Sequence, residues 1–341
     1  MILLGVDVGG SKTHAVLADE HGRVLGVGLA GGGNWEGVGL DRARAAWAAA
    51  IAAALEQAGV TSAEISAGAF GLAGLDWPSD EARLRPVVES LALGGPFTMV
   101  NDAFLPLRAG TDDGVGLGAI AGSGCTVAGR NRSGDMARSF GAAYPFTDWG
   151  GGHDIAREAV HVVAAAYIGL GPETALTERL VAATGVRDVA ELLEGVMRWK
   201  IKIKAPFAPE VFAAAHAGDD AAIAIIRRAG TTIGRNALAV ARRLDMLGEP
   251  FTLVTAGGVF SSHSPILMES LLETLHTQAP QIKLVHWTAP PVIGAVLLAA
   301  DLRACRPDRD RLTEEACDRL AACPVSPSLH RPIHRRGRRK G

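Results

Sequence analysis

The feature that most constrains the fold is a pattern that occurs twice. Residues 2–30 read as three short strands, with a glycine turn after the first and a polar, glycine-bearing turn after the second. ILLGVDV runs into GGSK, THAVLAD follows, and DEHGR turns the chain into RVLGVGLA. Residues 114–141, GVGLGAIAGSGCTVAGRNRSGDMARSFG, repeat that order. A supersecondary unit copied within one chain implies two lobes related by pseudo-symmetry, with a cleft between them. At 341 residues the chain is long enough for both.

Each copy is extended by alternating helices and strands, which makes the chain α/β. After the first copy come an Ala-rich helix, LDRARAAWAAAIAAALEQAGV, a strand, SAGAFGLAG, and a helix, SDEARLRPVVESLA, with Ser79 as its expected N-cap. The strand FTMVND ends on Asp102. Beyond Gly150 the pattern is mostly helical until PFTLVTAGGVF and IKLVHW, after which Pro290 and Pro291 open a small-residue helix. The expected organisation is an N-terminal lobe over 1–110 joined by the returning helix 291–304, a C-terminal lobe over 111–290, and an extension over 305–341 ending in a basic tail. The lobes are expected to hinge near residues 110 and 291.

Hydrophobic residues make up 48% of the chain and charged residues 21%, the balance of a well-cored protein. A net charge of -2 offers no electrostatic case for a nucleic-acid or membrane partner. Only the tail HRPIHRRGRRKG is basic, and it reads as a solvated end. No apolar run has the length of a membrane span or the flanks of a secretory signal. Cys125, Cys305, Cys317 and Cys323 show no C-x-x-C spacing, so a structural zinc site is not expected, and a reducing cytoplasm is the expected location.

The chemistry lies in the turns. Glycines between two strands leave backbone N–H groups open to an anion, because no Cβ blocks the approach. Asp7 sits just ahead of Gly9, Gly10, Ser11 and Lys12. A carboxylate beside a phosphate is repelled by it, so its sensible partner is a cation such as Mg²⁺. AGSGCT, with Gly122, Ser123 and Gly124, offers matching donors in the second copy, and Gly257 with Gly258 forms a third glycine pair. These turns are neither a Walker A loop nor a dinucleotide fingerprint, since the residues after Gly10 continue as a strand. Asp102 closes an apolar strand, a position for a catalytic carboxylate and equally for a helix N-cap. Asp148, in FTDWGGGHD, suits either sugar recognition or a turn. Asn34 and Trp35 supply an amide and an aromatic wall. His14 and His161 fall in strand and helix patterns and are expected to be packed.

In order, GVDVGGSKTHAVLADEHGRVLG, GNWEGVG, VNDAFLPL, GAIAGSGCTVAGR and AGGVF resemble the N-acetylglucosamine kinases of the BadF/BadG/BcrA/BcrD ATPase family, within the actin-like, sugar-kinase and Hsp70 superfold. The resemblance runs from residue 2 to about residue 300. It implies a two-lobed, duplicated ribonuclease-H-like fold with a central nucleotide cleft for ATP, Mg²⁺ and an amino sugar. Asp7 then stands beside the metal, and Gly9, Gly10, Ser11 and Lys12 form the first phosphate motif. Gly122, Ser123 and Gly124 form the second, and Gly257 and Gly258 the adenosine motif. Asn34, Trp35, Gly141 and Asp148 fall on the sugar side, and Asp102 is the base that takes the proton of the sugar 6-hydroxyl. AHAGDDAAIAIIRRAG resembles a helix pair near the nucleotide.

Two departures concern the sugar side. Trp149 and His153 stand where the family has an acid and an aromatic near the Asp148 position, and Gly141, Ala142 and Ala143 replace a Gly-Trp-Gly. ATP use is therefore more firmly implied than the choice among N-acetylglucosamine, glucosamine and other amino sugars. A homodimer is left open. An activator ATPase with an iron–sulfur cluster is disfavoured by the positions of the cysteines. A sugar-sensing repressor would need a DNA-binding segment ahead of the first strand.

Overall fold

The structure, a computed structural model, describes residues 1–323; the basic tail lies outside them. The described chain divides into two compact units: residues 1–102 with the segment from Pro290 onward, and residues 103–289.

In the first unit β1 (Ile2–Val8), β2 (Lys12–Asp19) and β3 (Val24–Gly31) form the expected meander. A one-turn α1 (Trp35–Val38) and the long α2 (Leu40–Ala58) follow. β4 (Ala67–Leu72), α3 (Pro78–Glu89) and β5 (Phe97–Val100) complete the first run. The sheet order is β3-β2-β1-β4-β5. The hairpins are antiparallel, and β1, β4 and β5 run parallel. Parallel strands end at one edge of a sheet, so residues just beyond β1, β4 and β5 gather there.

In the second unit α4 (Phe104–Gly110) precedes β6 (Gly116–Ala121), β7 (Cys125–Arg130) and β8 (Met136–Arg138). Five helices follow: α5 (Gly152–Tyr167), α6 (Leu176–Thr184), α7 (Val189–Met197), α8 (Ala208–His216) and α9 (Asp220–Arg243). β9 (Thr252–Ala256), α10 (Pro265–His276) and β10 (Lys283–Trp287) close it. Its sheet order, β8-β7-β6-β9-β10, repeats the first in topology and strand direction. The duplication read from the sequence is thus a duplication of sheets. The chain then returns to the first unit as α11 (Val292–Asp301) and α12 (Arg309–Ala322). Among the described residues no helix is long and apolar enough to cross a membrane.

Small residues set how closely the helices approach. α2 buries Ala43, Trp47, Ala50, Ile51 and Ala54 on one face, the spacing of an amphipathic helix. It faces Gly26 and Gly28 of β3. A Cβ on Gly28 would stand 1.9 Å from the Ala50 carbonyl oxygen, and one on Gly26 2.1 Å from that of Ala54. On β1, a Cβ on Gly5 would stand 2.5 Å from the Val296 nitrogen of α11. Helix backbone therefore rests directly on strand backbone, and an added methyl has nowhere to go.

One local expectation fails. Ser79 is not the N-cap of its helix, which begins at Pro78. Asp80 reaches back instead, accepting from the Trp77 and Asp76 N–H groups at 2.8 and 3.1 Å. Proline fits the first helical position because its missing N–H has no partner there in any case, and the cap moves from Ser79 to Trp77, two residues earlier.

Gly28→Ala should lower the unfolding free energy by about 1–3 kcal/mol through overpacking against backbone. The change would be read from the urea midpoint. An unchanged midpoint would mean that α2 withdraws freely.

Candidate active site

The first unit gathers its chemistry at the C-terminal edge of the parallel strands. The turn after β1 closes with the Gly9 N–H donating to the Lys12 carbonyl at 2.9 Å, and Gly33 N–H binds the Gly9 carbonyl at 3.1 Å. Gly10, Ser11 and Lys12 are exposed, and a Cβ built on Gly10 meets nothing within 4 Å. Asp7, the penultimate residue of β1, has a side chain only 14% exposed. Burial, and then repulsion from the charge of Asp102, raise its pKa to about 7, with Lys12 pulling the other way. Asp7 and Asp102 are therefore close enough to sense each other.

Asp102 lies two residues beyond β5, half-buried. It does not cap the helix that follows, because Ala103 holds that place and no side chain caps it. Asn101 ties this strand end to the neighbouring loop, donating to Asp76 at 2.9 Å. Asn34 caps α1, its Oδ1 accepting from the Glu36 N–H at 3.0 Å. Trp35 Nε1 donates to the Gly74 carbonyl at 2.8 Å, and the Arg83 guanidinium lies 4.7 Å from its ring centre. Asn34 and Trp35 are thus held by the segment leaving β4, on the same edge as Asp7 and Asp102.

Sequence reasoning left His14 as a packed residue, and packed it is, 5% exposed on β2 directly across from Asp7. Its Nδ1 stands 4.0 Å from Asp7 Oδ2 and has no hydrogen-bond partner. Burial and Lys12 lower its pKa to about 4, so the ring is neutral at pH 7 and the two residues are not an ion pair.

In the second unit Gly122, Ser123 and Gly124 form the turn between β6 and β7. Two neighbouring segments bind carbonyls in the turn and just before it. Gly152 N–H donates to Gly122 at 2.8 Å, His153 N–H to Ser123 at 2.9 Å, and Val259 N–H to Ala121, the last residue of β6, at 2.9 Å. Cβ atoms built on Gly122, Gly124 and Gly258 meet nothing within 4 Å. Gly257 differs. Its φ is +98°, and a Cβ there would lie 2.5 Å from the Ala121 oxygen. Beside these turns is a cavity of about 590 Å³ lined by Gly122, Ser123, Gly258, Phe212, Ser261 and Ser262, among others. The family resemblance implied a nucleotide near the glycines and the α8–α9 helix pair, but it did not single out Phe212, Ser261 or Ser262. The cavity fits a nucleoside in size and in its mixture of apolar wall and hydroxyl groups.

Asp148 is folded into its own loop. It is 1% exposed, and its Oδ2 accepts from the Phe140 N–H at 3.0 Å while Oδ1 has no partner. Burial raises its pKa despite those hydrogen bonds. Gly141, with φ +76°, makes the bend that brings the loop over it. Asp154, which sequence reasoning passed over, is buried at the start of α5 and accepts from the Gly150 and Gly151 N–H groups, both at 3.2 Å. A carboxylate three residues after a glycine pair is a capping signal that could have found it. The Cys125 thiol is buried beside the second turn, and burial pushes its pKa far up.

The model of the BadF/BadG/BcrA/BcrD ATPase family matches residues 4–299. The chain belongs to that family. Among curated proteins it is 27% identical to the N-acetylmuramic acid/N-acetylglucosamine kinase of Clostridium acetobutylicum, over 87% of this chain and 97% of that one. It is 29% identical to the N-acetyl-D-glucosamine kinase of Dictyostelium discoideum with the same coverage. Among solved structures, a candidate N-acetylglucosamine kinase from Chromobacterium violaceum superposes with a TM-score of 0.64 at 23% identity, covering 87% of this chain and 98% of that chain. The last of these likenesses bears on the fold alone, an α/β fold with two mixed five-stranded sheets.

In this ATPase family member the Asp7 side chain carries a measurable consequence. Its pKa is raised from 3.8 to about 7, so between those values the folded state binds the extra proton and the unfolded state does not. Stability must then fall as pH rises through that window. Asp7→Asn should match the wild-type unfolding free energy near pH 4 and exceed it increasingly towards pH 8, by up to about 4 kcal/mol at 1.36 kcal/mol per pKa unit, with a melting temperature that rises in step. Thermal unfolding of both proteins across that range, without ligands, would show the divergence, and parallel curves would refute it.

Proposed function

We propose that the protein is an ATP-dependent kinase that phosphorylates a hydroxyl, the 6-hydroxyl, of an amino sugar, with N-acetylglucosamine or glucosamine as the first candidates. The observation that carries the reading is the pair of carboxylates at one sheet edge, Asp7 and Asp102, beside an open glycine turn, with Asp7 poised at a pKa of about 7. The names of the curated relatives support the same acceptor class.

The two carboxylates have different tasks. Asp102, just past the end of β5, accepts the proton of the acceptor hydroxyl as that oxygen forms its bond to the γ-phosphorus and the bond to the departing ADP oxygen breaks. Asn34 and Trp35 orient the acceptor, and Asp148 works one step back by shaping the loop from Phe140 to Thr147. Gly9, Gly10, Ser11 and Lys12 in one unit and Gly122, Ser123 and Gly124 in the other supply N–H groups and a positive charge suited to phosphate oxygens. The cavity beside Gly258 takes the nucleoside.

Asp7 is the residue that would hold Mg²⁺. The fit is chemical. A buried carboxylate whose pKa a second carboxylate helps to raise favours a cation, and Mg²⁺ is commonly held by one or two carboxylates with the rest of its shell from water and phosphate oxygens. Among the described residues no group of three or more His, Cys, Asp or Glu side chains is placed to form a complete protein cage. When bound, the ion neutralises charge that develops on the transferring phosphoryl group. The four free cysteines suit a reducing cytoplasm.

The deciding experiment is ADP release with Mg²⁺–ATP and a panel of N-acetylglucosamine, glucosamine, N-acetylmuramic acid, N-acetylmannosamine and glucose. One strong amino-sugar responder is expected; silence across the panel would sink the reading. With that acceptor, Asp102→Asn should lose at least about 10²-fold in kcat while binding ADP normally. Normal turnover would remove Asp102 as the base. Gly258→Leu fills open space beside the cavity, so it should weaken ADP binding while leaving the melting temperature in place.

A further inference from the structure

Asp7 needs an orienting partner, and the structure holds one beside it. His14 sits opposite Asp7 in the antiparallel register of β1 and β2, where facing side chains on a sheet lie within reach of each other. It is 5% exposed, in a strand whose next residues, Ala15, Val16 and Leu17, are all buried and apolar. A residue there for packing alone would be apolar as well. Instead an imidazole nitrogen, Nδ1, is buried with no hydrogen-bond partner, 4.0 Å from Asp7 Oδ2. That distance is beyond a hydrogen bond, and a side-chain adjustment of about 1 Å would bring it within range.

We infer that His14 is the positioning residue for Asp7: its Nδ1–H closes onto Asp7 Oδ2 as a donor and holds the other carboxylate oxygen for the cation. Carboxylates that ligate metals are commonly fixed by such a partner, and losing it typically weakens metal affinity by about 10–100-fold. The inference rests on the reading of Asp7 as the residue beside Mg²⁺. The other charged groups in play are Lys12 at the head of the same strand and Asp102 at the end of β5, both of which already act on Asp7. Neither offers Asp7 a buried neutral donor: Lys12 is exposed, and Asp102 is itself a carboxylate.

The test measures binding, not turnover. Mn²⁺ replaces Mg²⁺ and its free concentration is followed by electron paramagnetic resonance, with full-length protein and saturating ADP. His14→Leu removes the donor and should weaken Mn²⁺ by about 10–100-fold while leaving ADP affinity in EDTA unchanged. His14→Asn places an amide nitrogen close to the position of Nδ1 and should recover most of the lost affinity. Wild-type Mn²⁺ affinity in His14→Leu would overturn the inference. So would an Asn variant as weak as the Leu variant, which would make His14 a packing residue. If His14→Leu does not fold, His14→Ala against His14→Asn makes the same comparison. If the wild type itself binds no Mn²⁺ in the presence of ADP, the reading of Asp7 falls together with this one, whereas a normal wild type and an indifferent variant reject His14 alone.

Discussion

A carboxylate held away from water at the end of a central strand is the constraint on which the first unit turns. Asp7 has lost most of its hydration, lies near a second carboxylate and gains only partial relief from Lys12, so its proton is held to about pH 7. A folded chain tolerates such a group only when the surrounding backbone leaves it no alternative. Here β1 pairs on both sides, with β2 and with β4, and the turn that follows is closed at Gly9 and tied again through Gly33. The strain is electrostatic, and on the proposed function Mg²⁺ would relieve it. On that reading stability and activity pull in opposite directions at this residue, as is common where a site is organised before its ligand arrives.

The second unit solves a related problem with backbone alone. Its turn carries no carboxylate at the Asp7 position, where Ile120 or Ala121 stands. The turn is held from behind, by N–H groups from the start of α5 and from the loop after β9 that bind its carbonyls. Its glycines are thereby left facing open space. Gly257 must be glycine both for its positive φ and for its contact with Ala121, whereas Gly258 is open and belongs to the cavity. Two glycines adjacent in sequence thus have different physical reasons to be there. The duplicated sheet has diverged accordingly: the carboxylate chemistry lies in one unit and the nucleoside-sized cavity in the other.

Much of this was legible before any coordinates, and some of it was not. Strand-and-turn periodicity found both meanders, and the long Ala-rich helix was visible from its spacing. The place of Asp102 was legible because FTMVND reads as an apolar strand that ends on that carboxylate. Ser79 misled because Pro78 can begin a helix, which moves its start two residues earlier, and Asp80 supplies the cap from inside it. Asp148 was legible as a residue of note, but not its burial, which depends on a bend at Gly141 that a Gly-Ala-Ala string does not announce. Phe212, Ser261 and Ser262 were invisible as a group, because α8 and the loop after β9 are about fifty residues apart in the chain.

The sequence by itself determined the α/β class, the repeated strand order, the glycine turns and the carboxylate, Asp7, placed just ahead of one of them. These follow from local rules: the period of apolar residues, the conformational freedom of glycine, and the aversion of a carboxylate to a buried strand without purpose. Only the tertiary structure decided that His14 faces Asp7 with an unmatched nitrogen, that Asp148 turns inward, and that the second turn is clamped through its carbonyls. Each of these depends on which residues distant in sequence become neighbours across a sheet or against a helix. Burial and hydrogen-bond pairing are properties of that neighbourhood and of no single stretch of chain.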